Sequence, residues 1–231
     1  MRFEASLAAR GTPYRVDLWD DRAAPVAGYR QDGSVLRVPV ALGPEEAKVL
    51  VVERSSSSHR VRSAARVKAG GSLAVGRWRL HVATFAPGGG RSVDLALGRL
   101  RDWQDIPALR NVAGTGTYDA RVAVPASWLK ARRGVDLTVG RVDGASHIAI
   151  NGRRVTASTI RLPGDHYPAE RLLRPGANTI TVQVATPPLN ALRGLGLRGA
   201  AGYAGFAGQP AVRAGLLGPV RLVPYRVTLR R

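Results

Sequence analysis

Residues 178–186 read NTITVQVAT, the most regular alternation in the chain. Ile180, Val182 and Val184 fall on one side of an extended backbone, and Thr179, Thr181 and Gln183 fall on the other. A period of two with β-branched residues on the apolar side describes a sheet strand buried on one face. Pro175-Gly176, just upstream, supplies the reversal that feeds this strand. Working outward, Asn151-Gly152 separates Ile148-Ala149-Ile150 from Arg153-Arg154-Val155, a two-residue hairpin signal with both turn residues suited to positive φ. Further strand-like runs occupy 76–85, 116–125, 135–142, 146–155 and 220–229. Short β-branched runs closed by Gly, Pro, Asn or Asp predict antiparallel pairing, and no long amphipathic helix competes. The expected fold class is all-β, with a β-sandwich of jelly-roll type in the C-terminal part.

The N-terminal part carries the same pattern in shorter pieces: FEASLA at 3–8, YRVDLW at 14–19, a run around Tyr29, VLRVPVAL at 35–42 and AKVLVVER at 47–54. Asp32-Gly33 is the turn between two of them. SSSSHR at 55–60 is polar and reads as a linker. The expected division is therefore 1–58, a smaller β-sandwich-like domain, and 59–231, the jelly roll with a lead-in segment at 59–113. About five short strands are few for an independent sandwich. The first domain is expected to be incomplete and to leave an apolar face or edge exposed. Gly88 to Gly90 is expected to be a mobile loop, RLRDWQDIPAL at 99–109 a turn or short helical loop because Pro107 disfavours helix at Ile106, and the glycine-rich stretch 194–208 a binding loop or disorder.

Composition narrows the function. At 231 residues, with 45% hydrophobic and 22% charged residues, the chain is an ordinary folded one with room for two cores. Its formal charge is +19, yet 32 of the 35 cations are arginines scattered through strands and turns. Nucleic-acid recognition needs a contiguous basic patch, and the sequence shows none. Without cysteine there is no disulfide, thiolate ligand or Cys nucleophile. The first residues lack the apolar core of a secretory signal, and no run approaches the roughly 18 apolar residues of a membrane span. The chain is expected either to be cytoplasmic or to be a piece of a longer exported protein.

The order GTGTYDARVAVP (114–125), LTVGRVDGASHIAINGRRV (137–155), LLRPGANTITVQVATPPLNALR (172–193) and GLLGPVRLVPY (215–225) resembles the galactose-binding-like sandwich at the C-terminus of large glycoside hydrolases. It is most similar to glycoside hydrolase family 106, the α-L-rhamnosidase type. WQDIP at 103–107 fits the same comparison, and 13–53 is similar to the β-domain that follows the catalytic barrel in those enzymes. The resemblance implies a secreted or periplasmic setting, a rhamnose-containing glycan or an upstream barrel as partner, and catalysis by two carboxylates held on that barrel. No residue of the present chain matches the catalytic motif, so none is carried over.

Asp102 and Asp105 flank Trp103, either as a carboxylate pair beside a sugar-stacking indole or as caps around a tryptophan that plugs the sandwich. Asp17, Asp20 and Asp21 surround Trp19, a solvated turn or an all-oxygen calcium site; no other cofactor is implied. His59, His81, His147 and His166 lack metal-ligand spacing, and neither glycine-rich stretch has a phosphate-loop lysine. Aromatic faces stack on the C–H face of a pyranose while amide and guanidinium groups bond its hydroxyls. On that basis the carbohydrate-binding set is Trp103, Trp128, Asn190, Arg193 and Tyr203. The leading expectation is an accessory, structural or weakly sugar-binding part of a rhamnosidase-like hydrolase that is not catalytic by itself. A stand-alone carbohydrate-binding protein and a basic polyanion-binding module are the alternatives.

Overall fold

A computed structural model describes the chain except at 18–21, 44–46, 55–63, 88, 132, 156–165 and 230–231. The protein is an all-β sandwich. Among the described residues it divides into two compact units. The first runs from Met1 to Val67 and takes in the chain end from Arg226; the second runs from Lys68 to Val155 and on to Tyr225. The expected boundary at 58/59 lies outside the described residues.

The first unit contains β1 (Arg2–Leu7), β2 (Thr12–Asp17), β3 (Arg22–Pro25), β4 (Arg30–Asp32), β5 (Val35–Ala41) and β6 (Val49–Glu53). They form two three-stranded sheets, β1-β5-β4 and β3-β2-β6. Leu7, Ala5 and Phe3 pair opposite Leu36, Val38 and Val40, so the apolar residues of β1 and β5 share one face. Leu36 and Val38 are fully buried there. On the opposite face Arg30 bonds Glu4 at 2.8 Å. Gly33, at φ 58°, makes the expected β4–β5 turn. The short β3 was not legible as a strand, because RAAP lacks alternation and its Pro25 suits only an edge. On β6, at the other edge of that sheet, Val49 and Val51 pair with Val16 and Tyr14. The two valines are 41% and 49% exposed.

In the second unit and its approach lie β7 (Ala64–Lys68), β8 (Leu73–Ala74), β9 (Trp78–Phe85), β10 (Ser92–Leu97), β11 (Ala113–Val124), β12 (Arg133–Asp143), β13 (Ala145–Ile150), β14 (Arg153–Arg154), β15 (His166–Pro168), β16 (Gly176–Ala185), α1 (Leu189–Leu197) and β17 (Gly215–Leu229). One sheet has the order β10-β9-β11-β16-β13-β14. The other has the order β15-β12-β17-β7, with β8 also pairing β17. Ile180, Val182 and Val184 of β16 are fully buried, as their alternation predicts. They share one core with Leu80 and Val82 of β9, Tyr118 of β11, Val135 and Leu137 of β12, and Leu216 and Leu222 of β17. Burying each Val, Leu or Ile of this set contributes about 1.5–3 kcal/mol relative to leaving it in water. The Asn151-Gly152 turn forms, with φ of 51° and 76°, and sets Ala149 opposite Arg154.

One segment differs from expectation. The start of the glycine-rich stretch is helical, since α1 covers Leu189–Leu197. Gly194 and Gly196 weaken helix propensity, but a Cβ at Gly194 would lie 2.8 Å from the Asn111 carbonyl, and one at Gly196 2.5 Å from that of Tyr203. Both glycines are needed for close packing of the helix, which is why composition alone suggested a loop. Of the glycine run 88–90, Gly88 lies outside the described residues, and Gly89 and Gly90 belong to the β9–β10 connection. Thr84 and Arg91 exchange hydrogen bonds of 2.9 Å, and a Cβ on Gly90 would collide with the Thr84 carbonyl.

Candidate functional site

Trp103 opens a 3-10 turn, Trp103–Asp105. Its indole has no exposed surface, and Nε1 donates to the Tyr118 hydroxyl at 2.6 Å. Two glycines make the space it fills: a Cβ on Gly116 would meet Cζ2 at 2.6 Å, and one on Gly215 would meet Nε1 at 2.4 Å. Gly116 lies on β11 of one sheet and Gly215 on β17 of the other, so Trp103 plugs the sandwich between them. Burial pushes the Tyr118 hydroxyl above its ordinary pKa, opposed in part by the Leu216 N–H and the Trp103 indole that donate to it. Asp102 Oδ1 accepts from Gln104 N at 3.0 Å and Ala214 N at 3.2 Å. It caps the turn and ties it to the chain entering β17, while Asp105 is exposed.

The remaining expected ligand residues fare differently. Asn190 is fully buried, its side chain donating to Val212 O at 2.7 Å and accepting from Val212 N at 2.9 Å. Neither Asn190 nor Trp103 presents an atom to a sugar, which corrects their assignment as ligand groups. Both serve the packing instead. Trp128, on the 3-10 turn Ala126–Leu129, is half-buried against the core. It follows the C-terminal end of β11, whereas Asn111 and α1 lie at the N-terminal end. Twelve residues of strand separate those ends, roughly 40 Å at strand rise. Arg193 donates to Gln209 O at 2.9 Å and to Asn111 Oδ1 at 2.5 Å, and half-buried Tyr203 precedes the 3-10 turn Ala204–Phe206. Asn190, Arg193 and Tyr203 thus share the α1 neighbourhood, but the five residues do not form one site.

That neighbourhood does hold a cleft, of about 370 Å³, at one end of the sandwich. It lies between the β9–β10 connection, the loop at 107–112 and one face of α1. Phe85, 60% exposed, stands on one wall, and Arg91, Arg110 and Arg198 line the cleft together with Asn111 and Leu195. Among the described residues, no carboxylate does. The volume is within the roughly 300–1,000 Å³ of small-molecule sites. The floor is fixed, because Asn111 is held at φ 55° by the Arg193 bond and by the close approach of Gly194. Of these residues only Arg193 was singled out from sequence. Phe85 carried a signal all the same: Trp78, Leu80 and Val82 set the buried parity of β9, and Phe85 is an aromatic on the opposite, exposed parity with Arg79, His81 and Ala83.

Of the acidic cluster around Trp19, Asp17 ends β2, and Trp19, Asp20 and Asp21 lie outside the described residues. Among the described residues, no three His, Asp or Glu side chains converge as metal ligands. No described helix is long and apolar enough to cross a membrane.

No protein-family model matches the chain, and no curated protein matches it. Among solved structures it is similar to the rhamnosidase from Novosphingobium sp. PP1Y, at 26% sequence identity over 96% of this chain, with a TM-score of 0.72. The chain spans 21% of that rhamnosidase, about a fifth of its length. Similarity also extends to a beta-glucuronidase from an uncultured Clostridium sp. (17% identity, 74% of this chain and 30% of that one, TM-score 0.42). A beta-glycosidase from Bacteroides vulgatus is a further case (18% identity, 67% of this chain and 20% of that one, TM-score 0.41).

Proposed function

We propose that this chain is an accessory β-module of an α-L-rhamnosidase-like glycoside hydrolase of family 106, acting beside a catalytic barrel as structural support with weak affinity for rhamnose-containing glycan. The observation that carries the reading is the similarity to the Novosphingobium rhamnosidase, which covers nearly the whole chain and therefore both units. Two features of the chain support it. The WQDIP segment is built into the fold as a plug, with Trp103 filling the space left by Gly116 and Gly215. The exposed Val49 and Val51 on β6 offer an apolar surface for a docked domain.

Two measurements on the purified chain test this. Incubated with an aryl α-L-rhamnoside, it is expected to release no phenol, and turnover by the pure chain would contradict the accessory assignment. Calorimetric titration with a rhamnose-containing oligosaccharide is expected to give weak heats at millimolar ligand. Flat heats over that range would remove the sugar-binding half of the proposal and leave support as the function.

A further inference from the structure

The cleft beside α1 combines an aromatic face with positive charge and nothing to neutralise it. Among the described residues, neither Arg91 nor Arg198 makes a side-chain hydrogen bond or ion pair, while Arg110 is steadied by a 3.3 Å bond from Nε to Gln104 O. A guanidinium binds a carboxylate through two parallel N–H groups, the strongest pairing open to it. Phe85 faces the same space and can cover the apolar face of a pyranose ring. The site is also preorganised. Asn111, Arg193 and Gly194 lock the loop at 107–112 against α1, so little ordering cost remains for a ligand. A sugar bearing a carboxylate satisfies both halves of this surface at once, whereas a neutral sugar leaves the guanidinium groups without a partner.

We propose that the cleft lined by Phe85, Arg91, Arg110 and Arg198 binds an acidic saccharide, its uronate ring against Phe85 and its carboxylate between the arginines. The inference rests on the carbohydrate reading above and adds the class of sugar. A nucleic acid is the other polyanion to weigh, but its backbone needs a charged stripe to track, and the three arginines here surround a single cleft of about 370 Å³.

The test is a titration of the full-length chain with tri-galacturonate, its methyl ester, a neutral rhamnose oligosaccharide and a single-stranded oligonucleotide, read by calorimetry. Tri-galacturonate is expected to bind at least roughly tenfold more tightly than the ester, which keeps the rings and removes the charge. The double variant R91Q/R198Q should lose roughly tenfold or more in affinity for the acid, and F85A should lose a smaller factor. The control R121Q/R154Q removes the same charge from exposed strand positions elsewhere and should bind as the parent does. Thermal midpoints establish that each variant is folded; R91K/R198K keeps the charge without the fork and should bind between the parent and R91Q/R198Q. Equal affinity for acid and ester overturns the proposal, as does an equal loss in the two glutamine doubles or a preference for the oligonucleotide. If the neutral oligosaccharide binds and tri-galacturonate does not, only the acidic-sugar proposal falls. If neither binds, the carbohydrate reading falls with it.

Discussion

Trp103→Ala is expected to lower the unfolding free energy by about 4 kcal/mol, the middle of the range for emptying a buried aromatic site. The indole is wholly buried, and it is hemmed by Gly116 on one sheet and Gly215 on the other, so neither strand can close on the cavity without leaving its ladder. The loss also removes one donor to the buried Tyr118 hydroxyl, which keeps only the bond from Leu216 N at 3.1 Å. With about 2–4 °C of midpoint per kcal/mol for chains of this size, the melting temperature should fall by roughly 10 °C. Trp103→Phe, which keeps a ring but not the N–H, should cost about half as much. Urea unfolding followed by tryptophan fluorescence and far-UV circular dichroism measures both. A Trp103→Ala protein as stable as the parent would mean that the residue faces a ligand and not the core.

Asn178→Leu is expected to cost about 3 kcal/mol. Asn178 is 1% exposed, and its carboxamide makes four hydrogen bonds. Oδ1 accepts from Asn151 Nδ2 at 2.8 Å and Arg174 N at 2.9 Å, while Nδ2 donates to Arg174 O and Gly176 O, both at 2.8 Å. The side chain joins the Asn151-Gly152 hairpin turn to the Pro175-Gly176 turn, with Asn151 Oδ1 completing the link by accepting from Thr179 N at 3.0 Å. Leucine has a similar volume but makes none of these four bonds, so Asn151 Nδ2 keeps only Leu172 O at 2.9 Å and the Arg174 and Gly176 backbone groups lose this partner; the cost is lost hydrogen bonding and not packing. Gln183→Leu, at an exposed position on the same strand, should change stability by no more than about 0.5 kcal/mol. Parallel denaturant titrations compare the two; equal effects would show that the carboxamide network is not structural.

The sheets were legible because their signals are local. NTITVQVAT announces its buried face through period two, and Asn151-Gly152 announces its turn through the φ values that asparagine and glycine tolerate. Helix α1 was illegible because Gly194 and Gly196 argue against a helix until Asn111 and Tyr203 are seen packed against them, which is tertiary information. Trp103 was ambiguous for the same reason. An aromatic between two aspartates suits a sugar platform or a core plug equally well, and the deciding residues, Gly116 and Gly215, are distant in sequence. Asn190 looked like a ligand group because an amide is a good hydroxyl partner, but its partner is the Val212 backbone. The cleft was missed as a unit because three separate segments build it. Phe85 alone carried a sequence signal, an aromatic out of phase with its strand.

The accessory role is tested most directly by exchange. In the Novosphingobium rhamnosidase, the fifth of the chain to which this protein is similar would be replaced by the full 231 residues. Hydrolysis of an aryl α-L-rhamnoside is then compared with that of the same enzyme lacking that fifth. The chimera is expected to be soluble and to recover activity that the deletion loses; a chimera no more soluble and no more active than the deletion would overturn the accessory role.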